Sequence, residues 1–124
     1  MSRSSQRAAA DRVFSLYIRK RDGACRACGY SWPSELQCAH IWSRRYYAIR
    51  FDERNAVALC RGCHIMFTHS LVHWDAWCEE NIPDYRLLRS MAVSGRAADG
   101  TPSNKLDYLA IKREFTERFE ELTA

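Results

Sequence analysis

Residues 59–64 read L-C-R-G-C-H: Cys60 and Cys63 sit two residues apart, and His64 follows at once. The same pairing occurs upstream in A-C-R-A-C-G-Y, where Cys25 and Cys28 precede Gly29. Thirty-one residues separate the two pairs. Zn2+ favours a tetrahedral shell of four thiolates, and each C-x2-C turn presents two of them at a suitable bite. The spacing therefore points to a structural zinc held by Cys25, Cys28, Cys60 and Cys63. Such a site ties the end of a first helix to the start of a central one. A zinc closed by four sulfurs keeps no open position for substrate, so it does no chemistry. Either pair alone also fits a thioredoxin-like redox motif, which calls for a βαβ context, and two disulfides are a further alternative.

Composition frames that choice. The chain has 124 residues, enough for one domain spanning 1–124, with 47% hydrophobic and 27% charged residues, an ordinary globular profile. It carries no apolar run of the roughly 18 residues a membrane span needs, and M-S-R-S-S-Q-R-A-A-A-D-R lacks the apolar core of a secretory signal. A cytoplasmic setting is the expectation, and there paired cysteines favour metal over disulfide. Cys38 and Cys78 stand outside the pairs, and Cys78 falls in an apolar helical pattern as plain core. Net charge is +4 but uneven: residues 1–61 carry 12 Lys/Arg against 5 Asp/Glu, and residues 62–124 carry 7 against 10. A basic first half that also holds the motifs suggests an anionic partner such as nucleic acid.

Along the chain, Ala10, Val13, Phe14, Tyr17 and Ile18 recur at helical spacing, which predicts a helix over 6–21 that ends at Asp22-Gly23. Short strands are expected at 36–42 and 55–59. A helix starting near Cys63 should carry Ile65, Met66 and Phe67 and break near His69-Ser70. A further helix at 72–80 places Trp74, Trp77 and Cys78 on one side. Pro83 suits the first position of the next helix, and Thr101-Pro102 suits the cap and first position of the last. Leu106, Leu109, Phe115, Phe119 and Leu122 then form its expected buried stripe. The class is α+β, mostly helical.

The segment L-Q-C-A-H-I-W-S-R-R … R-F-D-E-R-N-A-V-A-L-C-R-G-C-H resembles the motif of HNH endonucleases, whose fold is a ββα-metal core. It is most similar to their zinc-containing branch with two C-x2-C pairs. The A-H-I-x-S-R-R-Y … R-F-D-E-x-N run is similar to NinG-like phage recombination nucleases. The specific likeness covers about residues 25–69, and a helical extension over about 72–124 supports it.

This resemblance implies roles. His40 matches the general base that deprotonates the attacking water. Asn55 matches the central asparagine that holds the loop and so orients the base. His64 matches the helix ligand of a catalytic divalent ion, and the four cysteines match the structural zinc ligands. Ala39 stands where many HNH enzymes carry a metal-ligating Asp or His, and Thr68 where the helix often carries a second histidine. His69, one residue on, lies about 140° around a helix from His64. Asp52 and His69 are thus candidate helpers to His64. A thin protein shell completed by water and phosphate oxygen suits Mg2+ or Mn2+. Arg44, Arg45, Arg50 and Arg54 are expected to grip phosphate.

The resulting expectation is a metal-dependent DNA endonuclease in a bacterial or phage-infected cell. A branched-DNA (Holliday junction) resolvase of phage recombination is one alternative. It would need a homodimer, with the last helix or the Trp74/Trp77 face as contact. A non-catalytic zinc module that binds nucleic acid is the other.

Overall fold

Helix α1 runs Arg3–Asp22 in the computed structural model, which describes residues 1–124. Ser2 caps its start by accepting from the Ser5 N–H, and Gly23 ends it in the left-handed region at φ 67°. A residue with a Cβ is strained there, which is why a glycine stops this helix. Ala9, Ala10, Phe14, Tyr17 and Ile18 form its buried stripe, close to the periodicity in the sequence.

Two short strands follow, β1 (Leu36–His40) and β2 (Ala56–Cys60), paired antiparallel with Leu36 opposite Cys60 and His40 opposite Ala56. The first is two residues shorter than expected because the chain turns at Ile41, whose N–H donates to the Asn55 carbonyl. Ala56, Val57, Ala58 and Leu59 are all buried, so β2 is covered on both faces. A strand buried on both sides needs no polar alternation, and A-V-A-L shows none.

Beyond β2 come α2 (Arg61–His69), α3 (Leu71–Asn81), α4 (Tyr85–Ser94) and α5 (Tyr108–Thr123). The chain breaks between α2 and α3 at Ser70, as His69-Ser70 suggested. The hairpin separates two apolar clusters. On one side Leu36, Ala39, Ile49, Val57 and Leu59 pack with Phe67, Cys78, Ile82 and Leu88 of the later helices. On the other, Phe51 and Ala56 pack with Phe14, Tyr17 and Ile18 of α1 and with Tyr108 and Phe115 around α5. Phe14 meets Phe115 edge-on, ring centres 4.9 Å apart. The α+β, mostly helical class therefore holds, with a ββα core flanked by helices at both ends.

Two helix starts differ from the sequence expectation. Pro83 precedes α4 instead of opening it: the Tyr85 N–H donates to the Ile82 carbonyl at 3.2 Å, making Pro83 the second residue of a turn. Thr101-Pro102 opens only a short 3-10 turn, Ser103–Lys105. The chain then extends to bury Leu106, and α5 starts after Asp107, whose carboxylate accepts from the Ala110 N–H. Of the expected stripe, Leu106 and Phe115 are buried and Phe119 is half-buried, while Leu109 and Leu122 are exposed. No helix is long and apolar enough to cross a membrane.

Candidate functional site

The four-cysteine cluster forms where the turn after α1 meets the start of α2. The Gly29 N–H donates to the Cys25 carbonyl and the Cys25 N–H to the Tyr30 carbonyl, which folds residues 25–30 into a tight knuckle. The Arg26 N–H donates to the Ala58 carbonyl, fastening that knuckle to β2. Asp22 reinforces the join, accepting from the Ala58 N–H at 2.8 Å while Arg21 and Arg26 pair with its carboxylate. The second half needs no loop: Cys60 is itself the N-cap of α2, and its Sγ accepts from the Cys63 N–H.

All four Sγ atoms lie within 4.8 Å of one another, and Cys28 and Cys60 are 3.7 Å apart. Four sulfurs around a zinc at about 2.3 Å would stand roughly 3.8 Å from each other. The donor set and spacing therefore fit a metal such as zinc, and no other group of three or more metal-ligating side chains comes together in the chain. Burial opposes the Cys25 thiolate, but hydrogen bonds from the backbone of Cys60, Cys28 and Ala27 outweigh it and bring the thiol down to about 7. A thiol so poised is ready to ligate. Gly23 and Gly29 in the left-handed region, φ 67° and 82°, frame this knuckle.

The three polar residues between the cysteine pairs take different environments. His40 ends β1, half-buried, with its ring stacked on Phe14 at 5.6 Å. Its Nε2 lies 2.9 Å from the Arg50 carbonyl oxygen. A carbonyl only accepts, so Nε2 carries the hydrogen and Nδ1 keeps its lone pair. Burial holds the imidazole neutral and lowers its pKa to about 4; the Arg50 carbonyl raises it, and the nearby Arg44 and Arg50 charges lower it.

Asn55 is wholly buried with its amide fully used. Its Nδ2 donates to the carbonyls of Trp42 and Ile49, and its Oδ1 accepts from the Trp42 N–H. One side chain thus closes the loop over residues 42–49, and the very next carbonyl, that of Arg50, meets His40. His64 stands in the first turns of α2, half-buried, with burial lowering its pKa. Its Nδ1 is 2.5 Å from Gln37 Oε1, so Nδ1 donates and Nε2 is left with a free lone pair.

His40 and His64 meet across two adjoining cavities. One, of about 380 Å3, is bounded by Ala39, Leu59, Phe67, Thr68, Leu71 and Trp74 besides the two histidines. The other, of about 350 Å3, is bounded by Asp11, Ser15, Cys38 and Arg44 besides the same pair. The imidazoles therefore line one continuous cleft from opposite elements, β1 and α2.

Several sequence candidates fall elsewhere. Both carboxylate oxygens of Asp52 are taken by Arg54, at 2.9 and 2.7 Å, and Asp52 lines a separate cavity with Ala97, Ala98 and Leu106. His69 is exposed at the end of α2 and lines neither cavity of the cleft. Arg50 is held bidentately by Asp11 at 2.9 and 2.7 Å, and Arg54 is held by Asp52, so neither guanidinium is free for phosphate. Arg44 and Arg45 are exposed and have no carboxylate partner. Trp74 and Trp77 pack on Phe67 within the chain, and Phe115 of the last helix is buried against α1, while Leu109 and Leu122 of that helix stay exposed.

Three contributors were absent from the sequence reading. Asp11 lines the cleft and anchors Arg50; Gln37 orients His64; Phe14 backs His40. The spacing of Gln37 and His40, three residues apart on β1, carried no recognisable signal, and Asp11 sits on a helix far from the motif.

Compared with models of known protein families, residues 25–73 match the HNH endonuclease family. The matched segment holds both cysteine pairs, the hairpin and all of α2. Comparison with curated proteins and with solved structures returned no match.

Proposed function

Residues 25–73 being an HNH endonuclease segment with a four-cysteine cluster, we propose that the chain is a single-domain metal-dependent DNA endonuclease in which His40 is the general base. The observation that carries this reading is the cleft shared by His40 and His64. A base must be unprotonated at working pH and aim its lone pair at the water it activates. His40 meets both demands: its hydrogen sits on Nε2 against Arg50, and its pKa of about 4 keeps Nδ1 bare at neutral pH.

Across the cleft, His64 Nε2 is the protein donor for a divalent ion such as Mg2+ or Mn2+, with water and phosphate oxygen filling the other positions. Such an ion offsets the charge that builds on the phosphate and the leaving oxygen. Gln37 orients His64 through Nδ1. Asn55 acts on the base at one remove, holding the loop whose end presents the Arg50 carbonyl. Zinc at Cys25, Cys28, Cys60 and Cys63 fixes α2 against α1, so the two imidazoles keep their separation.

The test is cleavage of plasmid DNA with Mg2+, Mn2+ or EDTA, comparing the protein with His40→Ala. General-base catalysis contributes about 100- to 10,000-fold, so the variant should lose cutting to that extent while keeping DNA affinity. Equal, metal-dependent cutting by both proteins would remove His40 from the mechanism. No cutting by either, with DNA binding intact, would favour the non-catalytic zinc module, and cutting confined to junction DNA would favour the resolvase.

A further inference from the structure

Six arginines of this chain, Arg21, Arg26, Arg50, Arg54, Arg86 and Arg118, each hold a carboxylate. The other arginines hold none, and three of those, Arg12, Arg19 and Arg44, come together. These three line one open trough of about 400 Å3 with Asp11, Ser15 and Leu16. Five of its six lining residues come from α1, which lies outside the HNH-matched segment, and the sixth, Arg44, from the loop after β1. Asp11, Ser15 and Arg44 also line the cavity that contains His40 and His64, so the trough opens directly into the cleft.

Charge in the trough is decided by Asp11, the single carboxylate along it. Arg50 neutralises that group from the side with two hydrogen bonds, at 2.9 and 2.7 Å. What faces solvent is then three uncompensated guanidiniums in series. Arg19 is partly ordered for the purpose: its Nε donates to the Ser15 carbonyl, which leaves both terminal nitrogens free. Arg12 and Arg44 are exposed and Arg19 is half-buried, none of the three holds a carboxylate, and their planar donor sets suit phosphate oxygens. Of the four positions that the sequence offered for phosphate grip, Arg44 lines the trough, while Arg50 and Arg54 are paired elsewhere and two residues of α1 stand with Arg44 instead.

We propose that the α1 trough lined by Arg12, Arg19 and Arg44 is the track for the DNA backbone flanking the scissile phosphate, which α1 thereby feeds to His40 and His64. This assignment deepens the endonuclease reading and rests on it for the position of the scissile group. The track is a phosphate contact, so it acts on affinity without reading base sequence.

The experiment measures duplex binding by the His40→Ala protein, which separates affinity from cutting, over a range of salt concentrations. Arg12→Gln with Arg19→Gln is compared with Arg89→Gln, an exposed arginine of α4 that lines none of these cavities. Each lost phosphate contact lowers the slope of log K against log salt by about 0.9. The double variant should therefore lose about 1.8 from that slope and bind about 60-fold more weakly at 0.1 M salt. Arg89→Gln should leave both quantities as they were. Bound zinc per chain and helical circular dichroism confirm that the double variant is folded. In the His40-containing background its KM should rise with little change in kcat. An unchanged slope, or a loss matched by Arg89→Gln, would overturn the track even if the protein cuts DNA through His40. A reduced slope in a protein that never cuts would uphold the track while refuting the nuclease.

Discussion

Two candidate metal-binding regions lie at either end of the α2 N-terminus, and they differ in how many partners the protein supplies. At one, four sulfurs converge within 4.8 Å and leave nothing for a substrate to bind. At the other, one imidazole nitrogen faces a cleft shared with a second histidine, and the Asp11 carboxylate that also lines it is taken by Arg50. Cys63 and His64 are neighbours in sequence, yet the helix turns one towards each region. Saturation suits a site whose work is to hold elements together; a sparse shell suits a site that phosphate must enter.

That contrast breaks most visibly at the sulfur end. Structural zinc contributes about 10–16 kcal/mol in isolated finger peptides, comparable to the whole stability of a typical domain. Removing the metal with a strong chelator, or making Cys25→Ser, should unfold the ββα core, read as lost helical circular dichroism. A cluster that releases metal with no change in the melting curve would mean that the sulfurs are ornamental to the fold.

Asn55→Ala strikes the link between the two regions. It would leave the Trp42 N–H and carbonyl without a partner and the Ile49 carbonyl with the Asp52 N–H alone. Each orphaned group costs about 1–3 kcal/mol, so the two at Trp42 predict a loss of roughly 2–6 kcal/mol in urea unfolding. Cleavage should also fall in whatever fraction stays folded, because the Arg50 carbonyl would no longer be fixed against His40. Asn55→Asp at neutral pH should be nearly as harmful, since the charged group cannot donate to those carbonyls.

Acid provides a subtler probe of the open region. The folded pKa of His40, about 4, lies below the ordinary 6.5. The unfolded chain therefore binds a proton that the folded one refuses between those values. Stability is full above pH 6.5 and falls as pH drops towards 4, by roughly 3 kcal/mol at 1.36 kcal/mol per pH unit. The His40→Phe protein should lose most of that slope. A smaller effect is expected from Gln37→Ala: about tenfold weaker apparent affinity for Mg2+ or Mn2+, the low end of the 10- to 100-fold range typical of groups that orient a ligand, and unaltered zinc content.

The sulfur end was far more legible in sequence than the cleft. Four cysteines in two pairs carry their geometry in their spacing, and the family likeness of A-H-I-W to R-N-A-V-A-L supplied the rest of the core. Local signals also served α1, where apolar spacing and Gly23 fix the extent of the helix. They failed where partners come from afar. Nothing near Arg50 announces that Asp11, 39 positions away, will occupy it. Arg54 is the opposite case: its partner Asp52 is two positions away, yet the sequence does not say that the two will pair. Pro83 and Thr101-Pro102 carried sound helix-start chemistry, but burial of Leu106 and a turn at Ile82 moved both starts onward. Charge pairing and core insertion are tertiary choices, and neither leaves a periodic trace.

The account rests on sulfur holding the fold while imidazole handles the phosphate, and His64→Ala separates them in a single pair of readings. Zinc per chain and Mg2+- or Mn2+-dependent plasmid cleavage would be measured on the same preparation. The account predicts one zinc per chain, as in the unaltered protein, with cleavage reduced at least 100-fold. Zinc lost together with the histidine, or cutting at an unaltered rate, would contradict it.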